Sequence, residues 1–111
     1  MDRQVSLEHL RRTRFSSAGQ ERAQSDARRI AALLRNEGAR RVIGFGSAFA
    51  PDRRFKPTSD IDLAVEGLPA SRYFSALAVA QEMTRFRLDI FPLESALDYL
   101  RESVQEEGVP L

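Results

Sequence analysis

Arg41-Val42-Ile43-Gly44-Phe45-Gly46-Ser47, a polar stretch of twelve residues (48–59), and then Asp60-Ile61-Asp62-Leu63-Ala64-Val65 decide the fold. The two apolar runs read as buried strands, rich in β-branched residues and bounded by turn chemistry. On a strand the side-chain period is two, so Asp60 and Asp62 leave one face while Ile61 and Leu63 leave the other. Two carboxylates on a rigid strand, beside a glycine turn that lets backbone approach a ligand, form a place to hold a divalent cation and a polyphosphate.

The rest of the chain is read outward from this pair. Residues 20–36 carry Ala23, Ala27, Ile30 and Leu34 at spacings of four, three and four, which predicts a helix, with Gly38 as its stop. After Gly67-Leu68-Pro69, residues 70–86 read as a second helix. Its apolar residues spread over much of the circumference, so it is either deep in the core or covered on one face by a partner. Leu88-Asp89-Ile90-Phe91 reads as a third strand ended by Pro92, and residues 93–107 as a last helix with Leu93, Ala96, Leu97, Leu100 and Val104 as its buried stripe. The expected class is α/β (α+β): a small mixed sheet of three or more strands flanked by three to four helices, in one domain spanning 1–111.

Residues 1–18 read as a basic, loosely packed extension, in which Ser6 caps a short helix bearing Leu7 and Leu10. His9 is the single histidine and lies in that segment, so general-base chemistry is left to carboxylates. The chain has no cysteine, which removes disulfides, thiolate metal sites and a thiol nucleophile. No apolar run approaches the roughly 20 residues of a membrane span, and the N-terminus has no signal-peptide core, so no membrane is expected and the cytoplasm is the expected compartment. Net charge is +1, yet ten arginines fall within residues 3–41 while the last eighteen residues are acidic. That asymmetry suits a phosphate-bearing ligand or an acidic partner, and equally a solvated helix face. Arg11, Arg12 and Arg14, together with the exposed side of the 74–86 stretch, are candidate partner surfaces.

Residue by residue, alternatives compete. Gly46 either relieves a left-handed turn or clears space for backbone N–H groups to face a phosphate; Ser47 can cap a short helix over 48–50. Arg53, Arg54 and Lys56 meet a triphosphate or a partner, or are plain loop charges. Asp60 can merely open its strand and Asp89 can sit at an exposed margin. Asp62 is harder to set aside, since a charge within an apolar strand needs a partner. If Asp60, Asp62 and Asp89 converge, like-charge repulsion calls for a cation. With oxygen ligands only, that cation is Mg²⁺ or Mn²⁺.

With these residues in view, the chain resembles the nucleotidyltransferase fold typified by DNA polymerase beta, and most closely its minimal (MNT-type) members. The resemblance lies in an apolar strand ending Gly46-Ser47, the Asp60-x-Asp62 strand, the later Asp89, and the ending Glu106 to Leu111; it covers most of residues 20–111. It implies that Gly46 and Ser47 hold nucleotide phosphates. It also implies that Asp60 and Asp62 bind the metal, and that Asp89 completes the site and helps activate the attacking hydroxyl. The family moves a nucleoside monophosphate from ATP or another nucleoside triphosphate to a hydroxyl, and its minimal members often pair with HEPN-type toxins as antitoxins, some attaching AMP to the toxin. Two departures stand out: twelve residues separate Ser47 from Asp60 where many minimal members have ten, and Ala48-Phe49-Ala50 replaces the arginine that often follows the serine. The reading is then a Mg²⁺-dependent transferase whose acceptor arrives on a partner protein. The competing reading is an inactive module that neutralises its partner by occlusion. Duplex nucleic acid is not expected, and homo-oligomer formation is left open.

Overall fold

A computed structural model describes residues 18–111. The expectations placed on residues 1–17, namely the Ser6-capped helix, an idle His9 and a partner surface at Arg11, Arg12 and Arg14, lie outside the described residues. Three α-helices and a four-stranded mixed sheet follow in the order α1 (Ala18–Asn36), β1 (Arg41–Phe45), β2 (Ile61–Glu66), α2 (Ala70–Glu82), β3 (Leu88–Pro92), a 3₁₀ turn (Leu93–Ser95), α3 (Asp98–Glu107) and β4 (Val109–Pro110). The strands lie in the order β3-β2-β1-β4.

The sheet's two faces explain the sequence pattern. β1 and β2 are antiparallel, with Val42 opposite Val65 and Phe45 opposite Asp62; β2 and β3 are parallel, with Asp62 beside Asp89. Ile61, Leu63 and Val65 point to the face covered by α1, where Ala23, Ala27, Ile30, Ala31 and Leu34 are all fully buried. Ile30 and Leu34 are worth about 1.5–3 kcal/mol each in burial. The other face carries Ile43, Phe45 and Ala64 under Val104 of α3. That helix covers only part of it, and the polar residues of β2 and β3 occupy the remainder.

Buried polar groups tie the helices down. Asp26 of α1 is 1% exposed. It accepts from Arg29 at 2.6 Å and from the Thr84 hydroxyl at 2.8 Å, and pairs with Arg22 at 3.3 Å, so α1 is fastened to the segment after α2. A buried carboxylate is tolerable only when its lone pairs are taken in this way.

Three expectations need correction. The single helix over 93–107 is broken: Ala96 and Leu97 are extended (ψ 146° and 153°), and Leu97 is 65% exposed rather than in a buried stripe. The break accompanies a long-range contact: the Glu94 carboxylate accepts the Gly67 N–H at 2.7 Å and anchors the 3₁₀ turn to the end of β2. The second helix stops at Glu82 and buries only Ala76 and Ala80. Half-buried Tyr73 and Leu77 also pack against the core, and Phe74, 80% exposed, faces water. Residues 47–49 form a turn closed by Phe49 N–H on Gly46 C=O, rather than a helix capped by Ser47.

Candidate functional site

Strand register brings the acidic residues together. Asp62 and Asp89 are neighbours across the parallel β2–β3 pair, and Asp60 precedes Asp62 by one strand period on the same face. One carboxylate oxygen from each of Asp60, Asp62 and Asp89 lies within 4.8 Å of the others, and all three residues are partly exposed. They sit where the face of the sheet is no longer covered by α3.

The backbone bend expected at Gly46 abuts this cluster. Gly46 has φ +77°, a left-handed conformation that glycine adopts without penalty. A Cβ there would lie 2.6 Å from Asp62 Oδ2, so the residue must also be small for the carboxylate to remain where it is. Two residues earlier, a Cβ on Gly44 would stand 2.4 Å from the Phe49 ring, so that glycine lets the turn fold back over β1.

Two side chains of α2, neither singled out in the sequence analysis, hold Asp89 in register. The Gln81 side chain donates to Phe86 C=O at 2.9 Å and accepts from Leu88 N–H at 3.1 Å, while the Tyr73 hydroxyl donates to Ile90 C=O. Helix α2 thus grips β3 on both sides of the aspartate.

Electrostatics set these carboxylates apart. Burial, then the charges of Asp89 and Asp60, push the Asp62 carboxyl up to about 6. Asp89 is also raised, by burial and then by Asp60, with which it shares a hydrogen bond; the Arg87 guanidinium opposes the rise. Burial, with the charge of Asp89, raises the Tyr73 hydroxyl. Acids that raise one another in this way gain from a cation among them. An oxygen-only donor set with no histidine or cysteine fits Mg²⁺ or Mn²⁺.

The basic loop residues are spread out. Arg53 pairs with Glu107 at 3.2 Å, at the end of α3. Arg54 is exposed, and Lys56 lines a mostly apolar cavity of about 340 Å³ with Phe55 and Phe86. A larger cavity, about 660 Å³, lies at the far end of the sheet, beside Arg41 and Glu66, and contains none of the aspartates.

No protein-family model matches this sequence, and no curated protein does. Solved structures do. The chain is similar to a protein designated a minimal nucleotidyltransferase, at 25% identity and a TM-score of 0.69, over 83% of this chain and 95% of that one. It is also similar to a chain from a toxin–antitoxin complex with AMP-PNP (24% identity, TM-score 0.63, 76% of this chain and 70% of that one). A third match is to a chain from the complex of a tri-AMPylated Shewanella oneidensis HEPN toxin with its MNT antitoxin (24%, TM-score 0.59, 79% and 70%). The architecture is the minimal nucleotidyltransferase fold, in agreement with the resemblance read from the sequence.

Proposed function

We propose that this protein is a Mg²⁺-dependent nucleotidyltransferase that moves AMP from ATP to a hydroxyl on a partner protein, as the antitoxin of a HEPN/MNT-type pair. The observation that carries the proposal is the meeting of Asp60, Asp62 and Asp89, within 4.8 Å, beside the left-handed bend at Gly46. Residues 1–111 would act as one domain, in the cytoplasm. Among the described residues no helix is long and apolar enough to cross a membrane.

The three aspartates would hold the cation, and Gly46 and Ser47 would receive the triphosphate. When bound, Mg²⁺ (or Mn²⁺) would neutralise phosphate charge and lower the pKa of the attacking hydroxyl. The acceptor oxygen then attacks the α-phosphorus, the bond from that phosphorus to the bridging oxygen of the β-phosphate breaks, and pyrophosphate leaves. Asp89 would complete the cation site and help activate the attacking hydroxyl. Arg53, Arg54 and Lys56 would meet the triphosphate tail or the partner from the 48–59 loop. The similar structures, one an AMP-PNP complex and one a complex with a tri-AMPylated toxin, support both the nucleotide and the kind of acceptor.

A second reading, neutralisation by occlusion with a silent site, is favoured by the exposed Phe74 and Val79 on α2, a surface suited to a protein partner. One experiment separates the two. ATP labelled at the α-phosphate is incubated with Mg²⁺, the protein and a HEPN-type toxin as the candidate acceptor. Transfer of label to the toxin, lost in Asp60→Asn/Asp62→Asn, supports the enzyme; full neutralisation by that double variant without any label transfer supports the binder.

A further inference from the structure

Helix α1 reaches the Gly46 bend through two glutamines. Gln20, 1% exposed, donates to Ser47 C=O at 2.8 Å and to Ala50 C=O at 3.0 Å; Gln24, one turn later, donates to Ala48 C=O at 2.8 Å. Three carbonyls of one short turn are therefore drawn toward the same helix, across 24 to 30 residues of sequence.

The orientation of those carbonyls fixes the opposite edge of the turn. No cis peptide is present among the described residues, and in a trans peptide the C=O of one residue and the N–H of the next point in opposite directions. With Ser47 C=O held toward α1, the Ala48 N–H must point away from it. Helix α1 covers the sheet face bearing Ile61, Leu63 and Val65, whereas Asp60 and Asp62 leave the other face. Away from α1 is thus toward the carboxylates. Neither Ser47 N–H nor Ala48 N–H has an acceptor among the described residues, although Phe49 N–H is satisfied by Gly46 C=O.

We infer that Gln20 and Gln24 are positioning residues: they anchor the turn by its carbonyls so that the Ser47 and Ala48 amides are presented to the phosphates of the bound nucleotide. The inference rests on the functional reading above and adds to it. It also accounts for the loop's lack of an arginine after Ser47, since the donors here come from backbone held in place by α1.

The test uses Gln20→Met/Gln24→Met, which keeps length and helix propensity and removes both donors, with Gln24→Met alone as the variant at a partly exposed position. The probe is α,β-methylene ATP with Mg²⁺, whose α–β linkage cannot be cleaved. Titration calorimetry gives its affinity, Mn²⁺ paramagnetic resonance gives cation binding without nucleotide, and ¹H–¹⁵N spectra follow the Ser47 and Ala48 amides. In the unmodified chain both amides shift on adding the probe. In the double variant nucleotide affinity falls on the order of tenfold, because the two amides are no longer held toward the phosphates and water partly replaces their hydrogen bonds. Mn²⁺ binding stays unchanged, and Gln24→Met shows a smaller loss in the same direction. Unchanged nucleotide affinity in folded Gln24→Met, or amides that do not move when the unmodified chain binds the probe, overturns the positioning role and leaves the functional reading intact. Failure of the unmodified chain to bind the probe overturns both.

Discussion

Replacing Asp62 by asparagine removes one charge from the carboxylate cluster while keeping the side chain's shape, and the structure gives the sign of the result. The folded-state pKa of Asp62 is about 6 against an ordinary 3.8, so the metal-free fold binds this proton more tightly than the unfolded chain does. Between about pH 4 and 6 stability contributed by this group therefore declines as pH rises, and above 6 the whole penalty is present. The gap between 3.8 and about 6 corresponds to about 3 kcal/mol if unscreened. Asp62 is only half-buried, and solvent screening cuts this to about 1 kcal/mol. Asp62→Asn, measured without divalent cations at pH 7.5, should thus melt higher than the unmodified protein by roughly 4–8 °C for a domain of this size. The advantage should vanish by about pH 4. Adding Mn²⁺ reverses the order, because only the intact carboxylate cluster gains from the cation. Thermal melts of both proteins across pH, with and without Mn²⁺, supply the readout. An asparagine variant that melts lower than the parent at pH 7.5 in chelator refutes the claim that these carboxylates repel one another in the metal-free fold.

Other perturbations follow from the same geometry. Gly46→Ala puts a side chain at φ +77° and a Cβ within 2.6 Å of Asp62 Oδ2; a loss of about 1–2 kcal/mol in urea unfolding and a weakened Mn²⁺ affinity are expected. Cation binding should itself fall with pH: below about 6 Asp62 must shed a proton first, so Mn²⁺ affinity measured by calorimetry drops up to tenfold per pH unit there and levels off above it. Tyr73→Phe removes the hydroxyl bound to Ile90 C=O and should cost about 1 kcal/mol by denaturant melt, with faster hydrogen exchange in β3. Arg87→Ala removes the charge that opposes Asp89 protonation, so the Asp89 carboxyl, followed by ¹³C NMR, should titrate at higher pH than in the parent.

The β1-turn-β2 core was legible because its signals are local. Alternation places Asp60 and Asp62 on one face whatever the rest of the chain does, and Gly46 marks the bend. Asp89 was legible at one remove, through a period-two strand whose neighbour had to be guessed. What lay hidden depends on contacts between distant parts of the chain. Nothing within the first helix says that the amides of Gln20 and Gln24 reach the turn at residues 47–50. The break at Ala96–Leu97 comes from Glu94 reaching Gly67, a contact across 27 residues that overrides a plausible helical stripe. The apolar spread of the 70–86 stretch left burial and a partner-covered face open, and only tertiary contacts decide that Ala76 and Ala80 are buried while Phe74 is exposed. The two residues of β4 are too short to carry a period; they pair with Ile43 and Gly44 because the preceding helix delivers them to the open edge of β1.

The account turns on whether these acidic side chains share a cation. Crystals soaked in Mn²⁺ and α,β-methylene ATP, with diffraction recorded at the manganese absorption edge, address this directly. The account predicts an anomalous peak about 2.0–2.3 Å from oxygens of Asp60, Asp62 and Asp89, with the triphosphate against Gly46 and Ser47. Nucleotide bound elsewhere, or a cluster that takes up no manganese at millimolar concentration, would contradict it.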